Sequence, residues 1–438
     1  MAKVFTTSRR TDAGSNFHRF QTSTFLLGNP LLDRRGSLRV TYRKFILFPL
    51  LIFATTSCLG LADDVVAYRG ATIETVSKAG SIQNGTVLLR NGKIEAVGSK
   101  VDLPTDAKIV DVSGQTIMPA LVDIYHPITI SGLSSGSASR TIVFNGRVFR
   151  TGGTSSTTAP TYVKLSDVVD PLSLDSDLSK LARYGVGLAN IVVRGYGHSI
   201  HAKVTPDDAT TSIVNPDGTL FLSVTNSTAS LDVLRKGLKG STSRSTSTST
   251  SSSTSTTSLW AAVKEGKAPL ILNVNNAATI MYVLQIQKEY NKVRMVIVAS
   301  GTDIYRCLDR LKDRKLSVLI KAGIDVAPRS NRRINVAKLL ADAKIDFGFS
   351  ASLDRSLDSM PDTPLFPVSQ LVKTGLSKDK ALSALTMSPA KMLGMEKTLG
   401  SIEVGKQANL LFLNGAPLDA GTTVQQLLVE GKSVYENQ

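Results

Sequence analysis

From Leu121 to about Leu393 the chain alternates between short apolar runs and longer amphipathic stretches, and few folds accept that rhythm. GLANIVV (187–193), PLILNVN (269–275), VRMVIVAS (293–300), LSVLI (316–320) and IDFGFSAS (345–352) read as strands buried on both faces. AATIMYVLQIQKEYN, TDIYRCLDRLKDRK, NVAKLLADAK and SKDKALSALTMSPAKMLG carry apolar residues at helical spacing. The alternation predicts an α/β architecture, either a parallel barrel or an open doubly wound sheet.

Different material brackets this region. Between Val65 and Met118 the runs are short and alternating, and Asn84-Gly85 and Asn91-Gly92 are hairpin signals, because Asn and Gly tolerate the positive φ of tight turns. After Gly400 strand-like runs return in QANLLFLN and VQQLLVEGKSVYE. Residues 63–120 and 396–438 are therefore expected to build one small β-sandwich-like domain from both ends of the mature chain, with the barrel over 121–395. Ser241 to Ser258 is Ser and Thr throughout except for Arg244. With nothing apolar to bury, it is expected to be a disordered loop inserted in the barrel.

Residues 1–62 read as a leader. Basic Arg39, Arg43 and Lys44 precede the apolar run Phe45 to Ala54, and Gly60-Leu61-Ala62 resembles a signal-peptidase site. The run is short for a membrane span and holds Pro49, so a cleaved signal, export to the periplasm or a similar compartment, and no stable membrane span in the mature form are expected. Lipidation at Cys58 is the lesser reading, because Thr55-Thr56-Ser57 lacks the usual leucine. The leader holds nine Lys/Arg before Phe45, a large part of the +16 net charge. The remaining basic residues form no run interleaved with aromatics, which argues against a nucleic-acid partner. Cys307 is then the lone mature cysteine, so no intrachain disulfide framework is available.

Two motifs carry a resemblance. GQTIMPALVDIYHP (114–127) and LTMSPAKMLGMEKTLGSIEVGKQANLLFLN (385–414) resemble the amidohydrolase superfamily, notably its imidazolonepropionase- and dihydroorotase-like branches. The resemblance implies a distorted (β/α)8 TIM-like barrel plus a small composite β-domain, and hydrolysis of non-peptide C–N bonds by water activated on zinc. The family's ligand positions, carried over singly, fall on other residues. The paired histidines of the first barrel strand fall on Tyr125 and Pro127, with His126 between them. The later histidines fall within reach of Asn273 or Asn275 and on Ser300, and the last aspartate falls on Ser350. Lys203 is only a candidate for the bridging lysine. The resemblance thus implies the fold without zinc, a pseudoenzyme whose polar pocket is lined by Tyr125, Asn273, Asn275, Ser300 and Ser350.

A second reading keeps catalysis. His198 and His201 in RGYGHSIHAKV follow a barrel strand, hence the barrel end where active sites lie. With His126 they could serve an atypical hydrolase of amides, cyclic amides or lactams, although two histidines make an incomplete zinc site and each has an ordinary loop or barrel-mouth reading. Asp354 reads as surface loop. The sequence names neither substrate nor partner; an unknown small molecule or protein fits, and so does a homo-oligomer.

Overall fold

The structure is a computed structural model that describes residues 64–128, 141–144, 147–150, 162–193, 195–205, 212–225, 228–240, 259–300, 303–312, 314–327, 330–350, 353 and 365–437. The leader, Cys58, the Ser/Thr segment and Asp354 lie outside the described residues.

Both ends of the described chain share one eight-stranded sheet. Val65–Glu74, Ser81–Arg90, Lys93–Gly98, Lys108–Asp111 and Thr116–Pro119 come from the front, and Leu410–Leu413, Val424–Val429 and Lys432–Glu436 from the back. The join is antiparallel, with Leu410 opposite Pro119 and Leu413 opposite Thr116. Ile73, Ile94, Ile117, Leu410 and Phe412 are buried together in its core. The two Asn-Gly pairs behave differently. Asn91 and Gly92 link strands whose end residues Arg90 and Lys93 pair directly, and both have positive φ, as a two-residue hairpin requires. Asn84 also has positive φ, but Asn84-Gly85 sits inside the strand Ser81–Arg90, where the register against Val65–Glu74 shifts. This second hairpin signal is a β-bulge: the apolar alternation resumes in the same strand instead of turning back.

The middle of the chain is mixed α/β. Leu121–Ile128 and Val186–Val193 are parallel neighbours in one sheet. Leu220–Val224, Pro269–Val274, Arg294–Ala299, Leu316–Lys321 and Asp346–Ser350 run parallel in sequence order in another. The described residues thus supply seven parallel strands of this set, in two hydrogen-bonded sheets. Side chains cross the seams. Asn190 Nδ2 donates to Thr219 Oγ1 at 3.3 Å, and Ser350 Oγ donates to Asp123 Oδ1 at 2.8 Å.

Period-two alternation sorts the strand residues into two layers. Val122, Leu188, Phe221, Ile271, Val296 and Leu319 pack together with Met392, Leu393 and Leu399 from the C-terminal segment, forming the inner layer. Leu220, Leu222, Leu270, Leu272, Ile297 and Val318 face the helices in the larger outer core. The helices include Asp175–Arg183, Thr228–Lys239, Ala277–Glu289 and Val336–Asp342. The stretch read as one helix over SKDKALSALTMSPAKMLG is two, Lys378–Leu385 and Met387–Leu393, broken at Thr386. Pro389 explains the break, since it lacks an N–H and its ring crowds the carbonyl four residues back.

Candidate functional site

The first inner strand contains the irregularity on which the site turns. Ala189 pairs with Asp123, but Ile191 pairs with His126, so Leu121–Ile128 holds one extra residue there. The bulge shifts the alternation by one, so that Ile124 and Tyr125 both join the inner layer and His126 turns outward. Tyr125 joins the inner layer, its ring centroid 5.8 Å from that of Phe221, and its hydroxyl accepts from Asn273 Nδ2 at 3.0 Å. His126 aligns with outer-core Ile191 and reaches the helix Asp175–Arg183, its Nε2 3.8 Å from Asp177 Oδ2. That separation is an ion-pair distance, too long for a hydrogen bond. The nearby imidazole holds the Asp177 carboxyl below its ordinary range against the opposing effect of burial.

Polar residues rise above the apolar inner layer as a staggered row. Ser223 and Asn273 are cross-strand partners two residues beyond Phe221 and Ile271, level with Val298 and Leu319, and Ser300 and Lys321 follow two residues beyond those, on the same strand faces. Lys321 pairs in register with Ser350. The expected pocket residues do not form one network. Asn273 is tied to Tyr125, and Ser350 Oγ contacts Asp123 Oδ1 and the Tyr125 carbonyl at 3.2 Å. Asp123 Oδ1 also accepts from the Tyr125 backbone N–H at 3.2 Å. Ser300 and Asn275 are exposed on the rim: Ser300 Oγ donates to the Val274 carbonyl at 3.0 Å, and Asn275 Oδ1 accepts from Asn276 Nδ2 at 2.8 Å. Two participants were missed from sequence. Asp123 stands inside the MPALVD motif itself, and Lys321 follows Leu319 by one strand period. Lys203, the candidate bridging lysine, is elsewhere, its Nζ 2.6 Å from Glu430 Oε2 of the terminal sheet.

The other two histidines are buried apart from this row. His198 lies opposite outer-core Leu220 and edge-on to Tyr162, ring centroids 5.6 Å apart. On the same face Tyr196 accepts from Trp260 Nε1 at 2.7 Å, and burial pushes the Tyr196 phenol up to about 12. His201 sits on Ile200–Lys203, directly opposite Asn190. Neither histidine has a hydrogen-bond partner for its ring nitrogens among the described residues, and both are almost fully buried. Burial lowers both pKa values, His201 to about 4; for His198, Asp217 at 3.9 Å opposes the shift. Among the described residues no three of His, Cys, Asp and Glu are grouped, so His126, His198 and His201 do not converge. The inner row offers hydroxyls, amides, a lysine and one carboxylate already bonded twice through Oδ1. That donor set does not fit zinc, which is held by imidazoles, thiolates and carboxylates together.

Comparison with known proteins places this architecture. Residues 292–434 match the family model described as Amidohydrolase family. A stretch of 59 residues is 36% identical to a protein of Escherichia coli (strain K12) provisionally named N-acetylgalactosamine-6-phosphate deacetylase, covering 14% of this chain and 32% of that one. The match thus spans about a third of that curated relative's length. The crystal structure of an amidohydrolase from Thermotoga maritima MSB8 superposes with a TM-score of 0.66 at 21% identity, covering 85% of this chain and 100% of that one. Molinate hydrolase superposes with a TM-score of 0.50 at 14% identity, covering 84% and 94%. At these identities the two structures speak for the fold alone.

Proposed function

We propose that this chain, which belongs to the amidohydrolase superfamily, is an exported (β/α)8-type barrel that binds a small molecule or protein without metal, a pseudoenzyme. One observation carries the reading: the Tyr125 ring packs on Phe221 and bonds to Asn273, at the strand position where the resemblance implies a zinc-binding histidine. A divalent ion needs strongly donating ligands to offset its dehydration, and neutral amides and hydroxyls offer too little to zinc. Hydrogen bonds tie Asn273 Nδ2 to Tyr125 and Ser350 to Asp123 without a cation, and the one buried acceptor left over among these four, Asn273 Oδ1, is a neutral amide oxygen that holds zinc poorly. Elemental analysis of the dialysed mature protein, followed by zinc titration, tests the reading. Metal well below one equivalent and no saturable zinc uptake are expected. Stoichiometric zinc that supports amide or lactam hydrolysis would overturn it.

A further inference from the structure

We propose that the barrel mouth recognises a small carboxylate, with the Lys321 ammonium as its anchoring charge. This rests on the reading of the mouth as a ligand site and names the ligand class.

The argument starts from register. Leu319 belongs to the inner layer, so Lys321, two residues on, points to the same side at the C-terminal end of its strand. Its neighbour across the ladder is Ser350. Continuing the ladder pairs Val274–Ala299 and Val298–Leu319 by one and two residues brings Asn275, Ser300 and Lys321 into one row. Asn275 and Ser300 are exposed and Lys321 is part-exposed, so an incoming ligand meets these three. Two are neutral hydrogen-bonding groups; the third is a full positive charge.

A resident anion already sits at this cation. Lys321 Nζ lies 3.1 Å from Asp325 Oδ1, on a short ribbon in which Asp325–Val326 pairs with Arg333–Ile334. Asp325 is buried, and the same ribbon exposes Arg332 and Arg333. The ribbon following this strand therefore carries excess positive charge, which draws anions towards the mouth. A ligand carboxylate takes the place of Asp325 at the ammonium, while Ser300 and Asn275 supply hydrogen bonds beside it. Charge-assisted bonds of this kind are stronger than neutral ones and give the preference for an anion.

The test compares N-acetylglycine with its uncharged analogue N-acetylglycinamide, by calorimetric titration of the mature protein at low salt. The carboxylate is expected to bind about tenfold or more tightly than the amide, the scale of one charge-assisted hydrogen bond. Lys321→Gln should abolish the preference and Lys321→Arg should keep most of it. Asp325→Asn should tighten the carboxylate by removing its competitor, and circular dichroism of each variant checks folding. Equal affinity for the two probes, no binding of either, or a preference that survives Lys321→Gln would overturn the carboxylate inference. None of these outcomes touches the metal-free reading, which stands or falls on the zinc measurement.

Discussion

The two ends of the barrel differ in what they are made of. At the N-terminal end, Leu393 and Leu399 close the apolar inner layer with Val122 and Leu188. Beside them Lys406 is buried, with its Nζ bonded to the carbonyls of Glu396 at 2.7 Å and Leu399 at 3.3 Å and to Ser401 Oγ at 2.6 Å. At the C-terminal end the row is polar and opens onto exposed Asn275 and Ser300. Much of the long motif of the family resemblance, 385–414, packs at the first end, and the positions where the resemblance implies zinc ligands, among them Tyr125, Asn273, Ser300 and Ser350, lie at the second. In barrels of this type chemistry sits on the C-terminal face and stability on the other, so the two can change independently.

Truncations would break that contrast if it is wrong. Leu393→Ala should cost about 2–5 kcal/mol in denaturant unfolding, as for other buried leucines, because the packed end cannot collapse onto the void. A loss under about 1 kcal/mol would mean that this end carries less than its burial implies. Acid should weaken the molecule next. His201 is neutral when folded, so the unfolded chain takes the proton first; stability is full above about pH 6.5 and declines as pH falls towards 4. The drop is on the order of 3 kcal/mol, with the His198 shift acting in the same direction. Chemical denaturation at neutral pH and near pH 4, compared with His201→Gln, measures it, and an unchanged acid dependence in that variant would remove His201 as the cause. Asp123→Ala removes the carboxylate that accepts from the Ser350 hydroxyl and the Tyr125 N–H and should cost about 1–3 kcal/mol. Tyr125→Phe removes the hydroxyl that accepts from Asn273, which is partly exposed and can turn to water, for about 1 kcal/mol or less. Ser300→Ala on the rim should stay within about 0.5 kcal/mol in stability. A rim variant that unfolds the protein while Leu393→Ala does not would reverse the comparison.

Much of this was readable from sequence where side-chain period and backbone conformation agree. The predominantly apolar runs at 269–275 and 293–300 contain the strands Pro269–Val274 and Arg294–Ala299, since a strand covered on both faces takes apolar residues along most of its length. Asn91-Gly92 gave its hairpin for the same local reason. What sequence could not supply was register. Asn84-Gly85 is chemically the same signal as Asn91-Gly92, and only the neighbouring strand makes it a bulge. The extra residue near Tyr125 is likewise invisible in MPALVDIYHP, yet it decides that His126 faces the Asp175–Arg183 helix and Tyr125 the interior. Strict alternation from inner-layer Val122 would have given the opposite assignment for both of them. TDIYRCLDRLKDRK shows the limit for helices: it contains a 3-10 turn, Ile304–Cys307, and one short helical turn, Leu308–Leu311, where its pattern allowed a full helix.

The join between Thr116–Pro119 and Leu410–Leu413 constrains the order in which the molecule can be assembled. A chain that emerges amino end first makes the front strands early, but Thr116–Pro119 presents a bare, apolar, hydrogen-bonding edge until the last strands arrive. Closing that gap is a long-range event and slow by topology. Throughout this interval the edge is open to pairing with another chain. Chains stopped before Leu410 should therefore associate through the front strands, and the final strands of this protein act as its own seal against that fate.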